Sequence, residues 1–175
     1  DPAFGSSKFG IVLVCIIDDK LCVLESIELD RQDFNYCVNK ISEIMYKYGT
    51  EDNTKIFVDA SAPAVITAIK SNINEQTDYL EVIARRKKNH IRDPTFDMAV
   101  IPVNFTTAEK KNMLLNLKEI VDSNAIAIDL DRHQRLILAL RTASATDMIL
   151  NKETTESDDL LDALSLACKH VIINR

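Results

Sequence analysis

Read from the amino end, the hydrophobic positions first come as two nearly unbroken runs. Phe9 to Ile17 and Leu21 to Leu29 are rich in Ile and Val, and the polar Asp18, Asp19 and Lys20 separate them. Such runs around a short polar break predict a β-hairpin. From Phe34 the period changes. Phe34, Val38, Ile41, Ile44 and Met45 recur as one face of a helix, which Gly49 is expected to close. "KIFVDAS" is a short apolar run ending at Asp59 and reads as a buried strand; "APAVITAIKSNI" follows it as a helix with Pro63 near its start. "DYLEVIA" and "MAVIPV" are two more strand candidates. "TAEKKNMLLNLKEIVDS" has amphipathic helical spacing with Thr106 or Thr107 as cap, and "AIAID" is a short strand. "DRHQRLILALRTA" reads as a helix, "ATDMILNK" as a strand or extended arm, and a last helix starts after Ser157. A hairpin followed by strands alternating with helices predicts an α/β fold with a mixed sheet and helices on its faces.

Composition narrows the class. The chain has 175 residues, 46% hydrophobic and 27% charged, which suits one globular domain of ordinary size. No apolar run approaches the roughly 20 residues of a membrane helix. The opening "DPAFGSSKFG" lacks the basic-then-apolar pattern of a secretory signal. Cys15, Cys22, Cys37 and Cys168 form no C-x-x-C pair and sit in apolar or helical stretches, so reduced core thiols of an intracellular protein are expected rather than a zinc site. Neither G-x-x-x-x-G-K-[ST] nor G-x-G-x-x-G occurs, which removes the P-loop and the dinucleotide fingerprint from consideration. The net charge of −6 argues against a general nucleic-acid coat. It leaves room for one local basic strip, and "RRKKNHIR" supplies Arg85, Arg86, Lys87, Lys88 and Arg92 around His90. That strip is either a solvated loop or a set of phosphate contacts.

The candidate chemistry is acidic. Asp1 opens the chain, Asp59 ends an apolar strand, and Asp158, Asp159 and Asp162 crowd the start of the last helix. An Asp at a strand end faces the crevice where open α/β sheets place their sites. On a helix, 159 and 162 are i,i+3 and 158 and 162 are i,i+4, so the group shares a face. Carboxylates brought together repel unless a cation neutralises them, and Mg²⁺ or Mn²⁺ takes hard oxygen ligands. Two such ions about 4 Å apart activate water and stabilise a leaving oxygen in phosphodiester hydrolysis. A plainer chemistry competes. Ser157 is a good N-cap, first-turn aspartates suit the helix dipole, and Asp59 can cap the next helix. Capping leaves Asp162 unexplained, because its neighbours Leu161, Ala163, Leu164 and Leu166 are apolar.

Taken in order, "DPAFGSS", "IFVDAS" and "SDDLLDALSLA" resemble the three acidic motifs in the nuclease domain of viral terminase large subunits. Those domains have a ribonuclease H-like fold and cut concatemeric viral DNA during packaging. The third motif is the most specific, matched by Asp158, Asp159, Asp162, Ala163 and Ala167; where the family often has His before the paired Asp, this chain has Ser157. The resemblance spans almost the whole chain and implies a ribonuclease H-like mixed β-sheet with helices on both faces. Residues 1–175 would then form a single nuclease domain, with an ATPase motor domain belonging upstream. It also implies two divalent ions, Mg²⁺ or Mn²⁺, held by Asp1, Asp59 and Asp159, with Asp158 and Asp162 as alternates or supporting groups. Water would be the nucleophile, without a covalent enzyme intermediate. Arg85, Arg86, Lys87, Lys88 and Arg92, with Lys110 and Lys111, would position double-stranded DNA by phosphate contacts of weak sequence preference. The implied partners are the motor domain, a portal and a small terminase subunit, with no membrane, in the host cell cytoplasm. Three other readings remain: a Holliday-junction resolvase, an actin-like nucleotide-binding domain (disfavoured by only three glycines), and a catalytically silent docking module.

Overall fold

The protein is described by a computed structural model, in which residues 8–30, 34–48, 54–72, 99–147 and 149–171 are placed. The chain divides into two compact units, Asp1–Gln32 with Asn104–Arg175, and Asp33–Val103.

In the first unit the two apolar runs form the expected hairpin, β1 (Phe9–Ile17) antiparallel to β2 (Lys20–Leu29). Asp18 and Asp19 make its turn, both left-handed at φ 50° and 58°. Two positive φ values are what a two-residue hairpin turn needs to follow strand twist, and Asp tolerates them better than most residues. The ladder is irregular at one point. Val14 pairs with Val23 but Leu13 pairs with Glu25, so Leu24 is an extra residue on β2. A bulge of this kind shifts the two-residue alternation of side chains by one. Leu21 and Val23 are buried on the core face before it. Beyond it, Ser26 and Glu28 take that face, opposite Val12 and Gly10.

The third strand of this mixed sheet is β5 (Ile126–Ala127), parallel to β2. It follows α3 (Thr107–Asp122), whose N-cap is Thr106: the Glu109 N–H donates to Thr106 Oγ1 at 3.2 Å. Met113, Leu117 and Ile120 form the buried stripe of α3 at helical spacing. Next come α4 (Gln134–Thr142), the short antiparallel pair β6 (Ala145–Thr146) and β7 (Ile149–Leu150), and α5 (Asp158–Ala167). "ATDMILNK" is thus a tight hairpin about Asp147, at φ 52°. The core gathers Leu21 and Val23 from the sheet, Leu117 and Ile120 from α3, Leu136 from α4, and Leu160, Leu161 and Leu164 from α5. Cys168 ends α5 inside this core, and burial pushes its thiol up to about 12. The Asn116 side-chain N–H from α3 donates to the Cys168 carbonyl at 2.6 Å. All four cysteines are free; Cys15 and Cys22 are half-buried cross-strand neighbours rather than core residues.

In the second unit, α1 (Phe34–Tyr48) buries Cys37, Val38 and Ile44. β3 (Lys55–Asp59) lies parallel to β4 (Ala99–Val103). A helix, α2, covers residues 63–72 between them and buries Val65 and Ile69. Parallel neighbours need a crossover of this kind. The strand candidate "DYLEVIA" and the end of α1 at Gly49 lie outside the described residues. The described fold is α/β. Among the described residues no helix is long and apolar enough to cross a membrane.

Leu164 is fully buried where α5 meets the sheet, α3 and α4. Leu164→Ala is expected to lower stability by about 2–5 kcal/mol, from lost transfer energy plus a cavity, read as a fall in the urea midpoint at unchanged slope.

Candidate metal centre

The start of α5 lies against β1, and the contact is unusually close. A Cβ placed on Gly10 would stand 2.3 Å from the Asp159 carbonyl oxygen. Only glycine allows that approach. It puts the first turn of α5 beside the residue that enters β1. There the Lys8 backbone N–H donates to Asp159 Oδ2 at 2.9 Å. Asp159 is buried, with 5% of its surface exposed.

The three aspartates of α5 have different surroundings. Asp158 pairs with Lys152 Nζ at 3.0 Å. Asp162 lies 3.6 Å from Lys110 Nζ and 4.0 Å from Lys152 Nζ. Asp159 makes no ion pair among the described residues; the Lys8 N–H is the hydrogen bond it receives. Burial raises its pKa above the ordinary carboxylate value, the Lys8 N–H opposes this, and the charges of Asp158 and Glu28 add to the rise. Lys152 is raised too: burial pulls it down, but its hydrogen bond to Asp158 and the charges of Asp158, Asp162 and Asp159 outweigh that. Of the three aspartates, Asp159 is therefore the one whose charge no cation among the described residues pairs directly. Its hard oxygens fit Mg²⁺ or Mn²⁺, and Mg²⁺ needs only one or two carboxylates beside its waters.

Ser157 does not cap α5 as its sequence position suggests. It is left-handed at φ 51° and makes no side-chain cap bond. Its hydroxyl turns to Glu28 Oε2 at 3.4 Å. Glu28, which lies here, was not among the residues that the sequence singled out. Its carboxylate is wholly buried, and Oε2 also receives Lys8 Nζ at 2.9 Å and Arg135 Nη1 at 3.0 Å, while Oε1 has no hydrogen-bond partner among the described residues. The Glu28 hydrogen bond is the main reason that the Lys8 ammonium is held above its ordinary pKa. Next to Glu28 on the same strand face, Ser26 Oγ lies 2.8 Å from Nδ1 of buried His133. The signal for Glu28 was the polar pair Ser26 and Glu28 at two-residue spacing, which points inward only once the bulge at Leu24 is known.

Asp59 ends β3, as expected, in the second unit. It is half-buried and engaged with its own turn: the Ser61 N–H donates to Oδ1 at 2.9 Å and the Ser61 hydroxyl to Oδ2 at 2.7 Å. Of the DNA-contact candidates, Lys110 faces Asp162 and stands 4.8 Å over the Phe105 ring, and Lys111 is half-buried on α3. Asp1 and the strip Arg85, Arg86, Lys87, Lys88 and Arg92 lie outside the described residues. Among the described residues, no group of three or more His, Cys, Asp or Glu side chains converges as a metal site. Comparison with protein-family models and with curated proteins finds no match for this chain.

Two outcomes follow from this geometry. Gly10→Ala forces the start of α5 away from β1 and is expected to destabilise by about 1–3 kcal/mol, as overpacked sites do, read by chemical denaturation. Asp159→Asn is expected to raise the thermal midpoint at pH 7 in EDTA. A raised folded-state pKa means that this group's contribution to stability is complete below the unfolded value of 3.8 and is lost as pH rises through the folded value. The advantage of the Asn variant over wild type should therefore shrink as pH falls toward 4, which scans at several pH values would show.

Proposed function

We propose that this chain is a metal-dependent DNA endonuclease of the ribonuclease H-like type, acting as the nuclease domain of a viral terminase large subunit. The observation that carries the reading is Asp159: a buried carboxylate at the start of α5, raised in pKa and without an ion pair among the described residues. A carboxylate whose pKa is raised by burial and by neighbouring like charge is a candidate functional group. Asp159 also falls on the most specific of the three motifs. Its neighbours Asp158 and Asp162 have lysine partners, which makes Asp159 the natural ligand on this helix.

In this reading Asp159 is the ligand that α5 supplies to two divalent ions, Mg²⁺ or Mn²⁺, and the resemblance gives Asp1 and Asp59 the same role in their own motifs. Such ions supply the charge that activates water and stabilises the leaving 3′ oxygen. The Lys8 N–H fixes one oxygen of Asp159 and leaves the other for a ligand. Lys152 and Lys110 hold Asp158 and Asp162 aside. The basic strip 85–92 and the half-buried Lys111 hold the DNA backbone, and Lys110 exchanges its Asp162 partner for phosphate. The substrate is concatemeric viral DNA in the host cytoplasm, delivered by an ATPase motor with a portal and a small subunit.

The test is plasmid nicking and linearisation with Mn²⁺, Mg²⁺ or EDTA, comparing wild type with Asp59→Asn and Asp159→Asn. Metal-dependent cutting is expected, with a loss of at least about 100-fold in each variant, the scale of removing a group that acts on the transition state. A folded wild-type chain that neither cuts nor binds Mn²⁺ overturns the reading and leaves Asp158 and Asp159 as helix-start residues. A strong preference for four-way junctions over linear duplex would move the assignment to a resolvase.

A further inference from the structure

We propose that Glu28 is a positioning residue for this centre: it ties the segment entering β1 and the start of α5 to one point, so that Asp159 is presented in a single orientation. The inference rests on the nuclease reading and adds to it a residue outside the three acidic motifs.

Three donors converge on one oxygen. Glu28 Oε2 takes Lys8 Nζ, Arg135 Nη1 and Ser157 Oγ at 2.9, 3.0 and 3.4 Å. Lys8 and Ser157 are the informative pair. Lys8 holds Glu28 with its ammonium and Asp159 with its backbone N–H, so one residue spans both carboxylates. Ser157 precedes the paired aspartates Asp158 and Asp159, and its left-handed backbone turns its hydroxyl away from the helix end and toward Glu28. A helix start without its cap bond forgoes ordinary capping, so the Glu28 contact comes at the expense of local helix stability. Arg135 adds α4 as a third attachment.

The burial of Glu28 says the same. Its side chain is 0% exposed, whereas the Lys8 and Arg135 side chains are 42% and 62% exposed. A surface ion pair needs no buried acid and would contribute little. A carboxylate taken wholly out of water, with Oε1 unpartnered among the described residues, is costly, so a role in fixing geometry is the compensation we assign to it. Hydrogen-bonding partners behind a metal ligand typically matter 10- to 100-fold in affinity or activity, because they orient the ligand.

The experiment uses the full chain and compares wild type, Glu28→Gln and Ser157→Ala. Gln keeps the shape and removes the charge that gathers Lys8 and Arg135. Mn²⁺ affinity is read from the free-ion electron paramagnetic resonance signal, alongside kcat and KM on plasmid DNA and circular dichroism. In Glu28→Gln the expected result is Mn²⁺ affinity and kcat both lower by about 10- to 100-fold, with KM for DNA within about threefold and the circular dichroism spectrum unchanged. Ser157→Ala removes one hydroxyl and tests the same tie where Glu28→Gln fails to fold; about a 3- to 10-fold loss of kcat with the same direction in Mn²⁺ affinity is expected, the scale of a net hydrogen bond. A purely structural role predicts a lower melting temperature and fewer active molecules, with unchanged Mn²⁺ affinity per folded chain, and that result overturns the proposal. Wild type cutting normally while both variants match it in kcat and Mn²⁺ affinity overturns it as well, and leaves the nuclease reading intact. Wild type that neither binds Mn²⁺ nor cuts removes both together.

Discussion

The contact between Gly10 and the first turn of α5 organises the polar end of the first unit. With an ordinary side chain at position 10, the Asp159 carbonyl would have an atom 2.3 Å away, inside any tolerable separation. Because that side chain is missing, helix backbone rests on strand backbone. Asp159 is then close enough to the chain entering β1 to be held by the Lys8 N–H and is shut away from water. Hydrophobic burial along the rest of α5, from Leu160 through Leu166, supplies the force that keeps the helix seated. The glycine decides how near it sits, and the apolar face decides that it stays.

The charges around α5 sort into two kinds. Asp158 and Asp162 are paired with half-exposed lysines. Pairs of this kind are screened and contribute little to stability, so their effect is to hold side-chain directions. Asp159 and Glu28 are buried, where a charge is expensive unless matched. Glu28 is matched by two cations on one oxygen. Among the described residues Asp159 is matched by one backbone N–H and by the more distant charge of Lys152, and burial outweighs both, as the direction of its pKa shift records. Asp159 thus differs from Asp158 and Asp162 in having no lysine partner among the described residues, and the pKa of its carboxyl is raised by burial.

Most of the elements were legible because their signals are local. The hairpin, the face of α1, the strand ending at Asp59, the Thr106 cap and the start of α5 all follow from periods and flanking residues within a few positions. What stayed hidden was set by pairing between distant parts of the chain. Ser157 has the composition of a cap, and its hydroxyl was diverted by Glu28, more than a hundred residues earlier. Asp59 was foreseen at its strand end, but its bonds to Ser61 depend on the turn that follows. Glu28 was missed for a sharper reason. In "LESIEL" the apolar Ile27 and Leu29 continue the phase set by Leu21 and Val23, so unbroken alternation sends them inward and Glu28 to the opposite face. The extra residue Leu24 reverses that phase, and nothing in its composition announces a bulge.

The bulge therefore links the fold to the chemistry. Were the ladder regular, the face of β2 beneath α5 would be apolar to its end. An apolar seat has nothing with which to hold Lys8, Arg135 or the Ser157 hydroxyl. With Leu24 inserted, the same face runs Leu21, Val23, Ser26, Glu28, apolar under the body of the helix and polar under its acidic start. Ser26 meets His133 at the start of α4, and Glu28 meets Arg135 two residues further on. One inserted residue thus aligns three separate elements, the entry to β1, the start of α4 and the start of α5, on a single strand end. Sequence distance places these elements far apart, and only a strand whose phase changes midway can anchor them while its first half still closes the core.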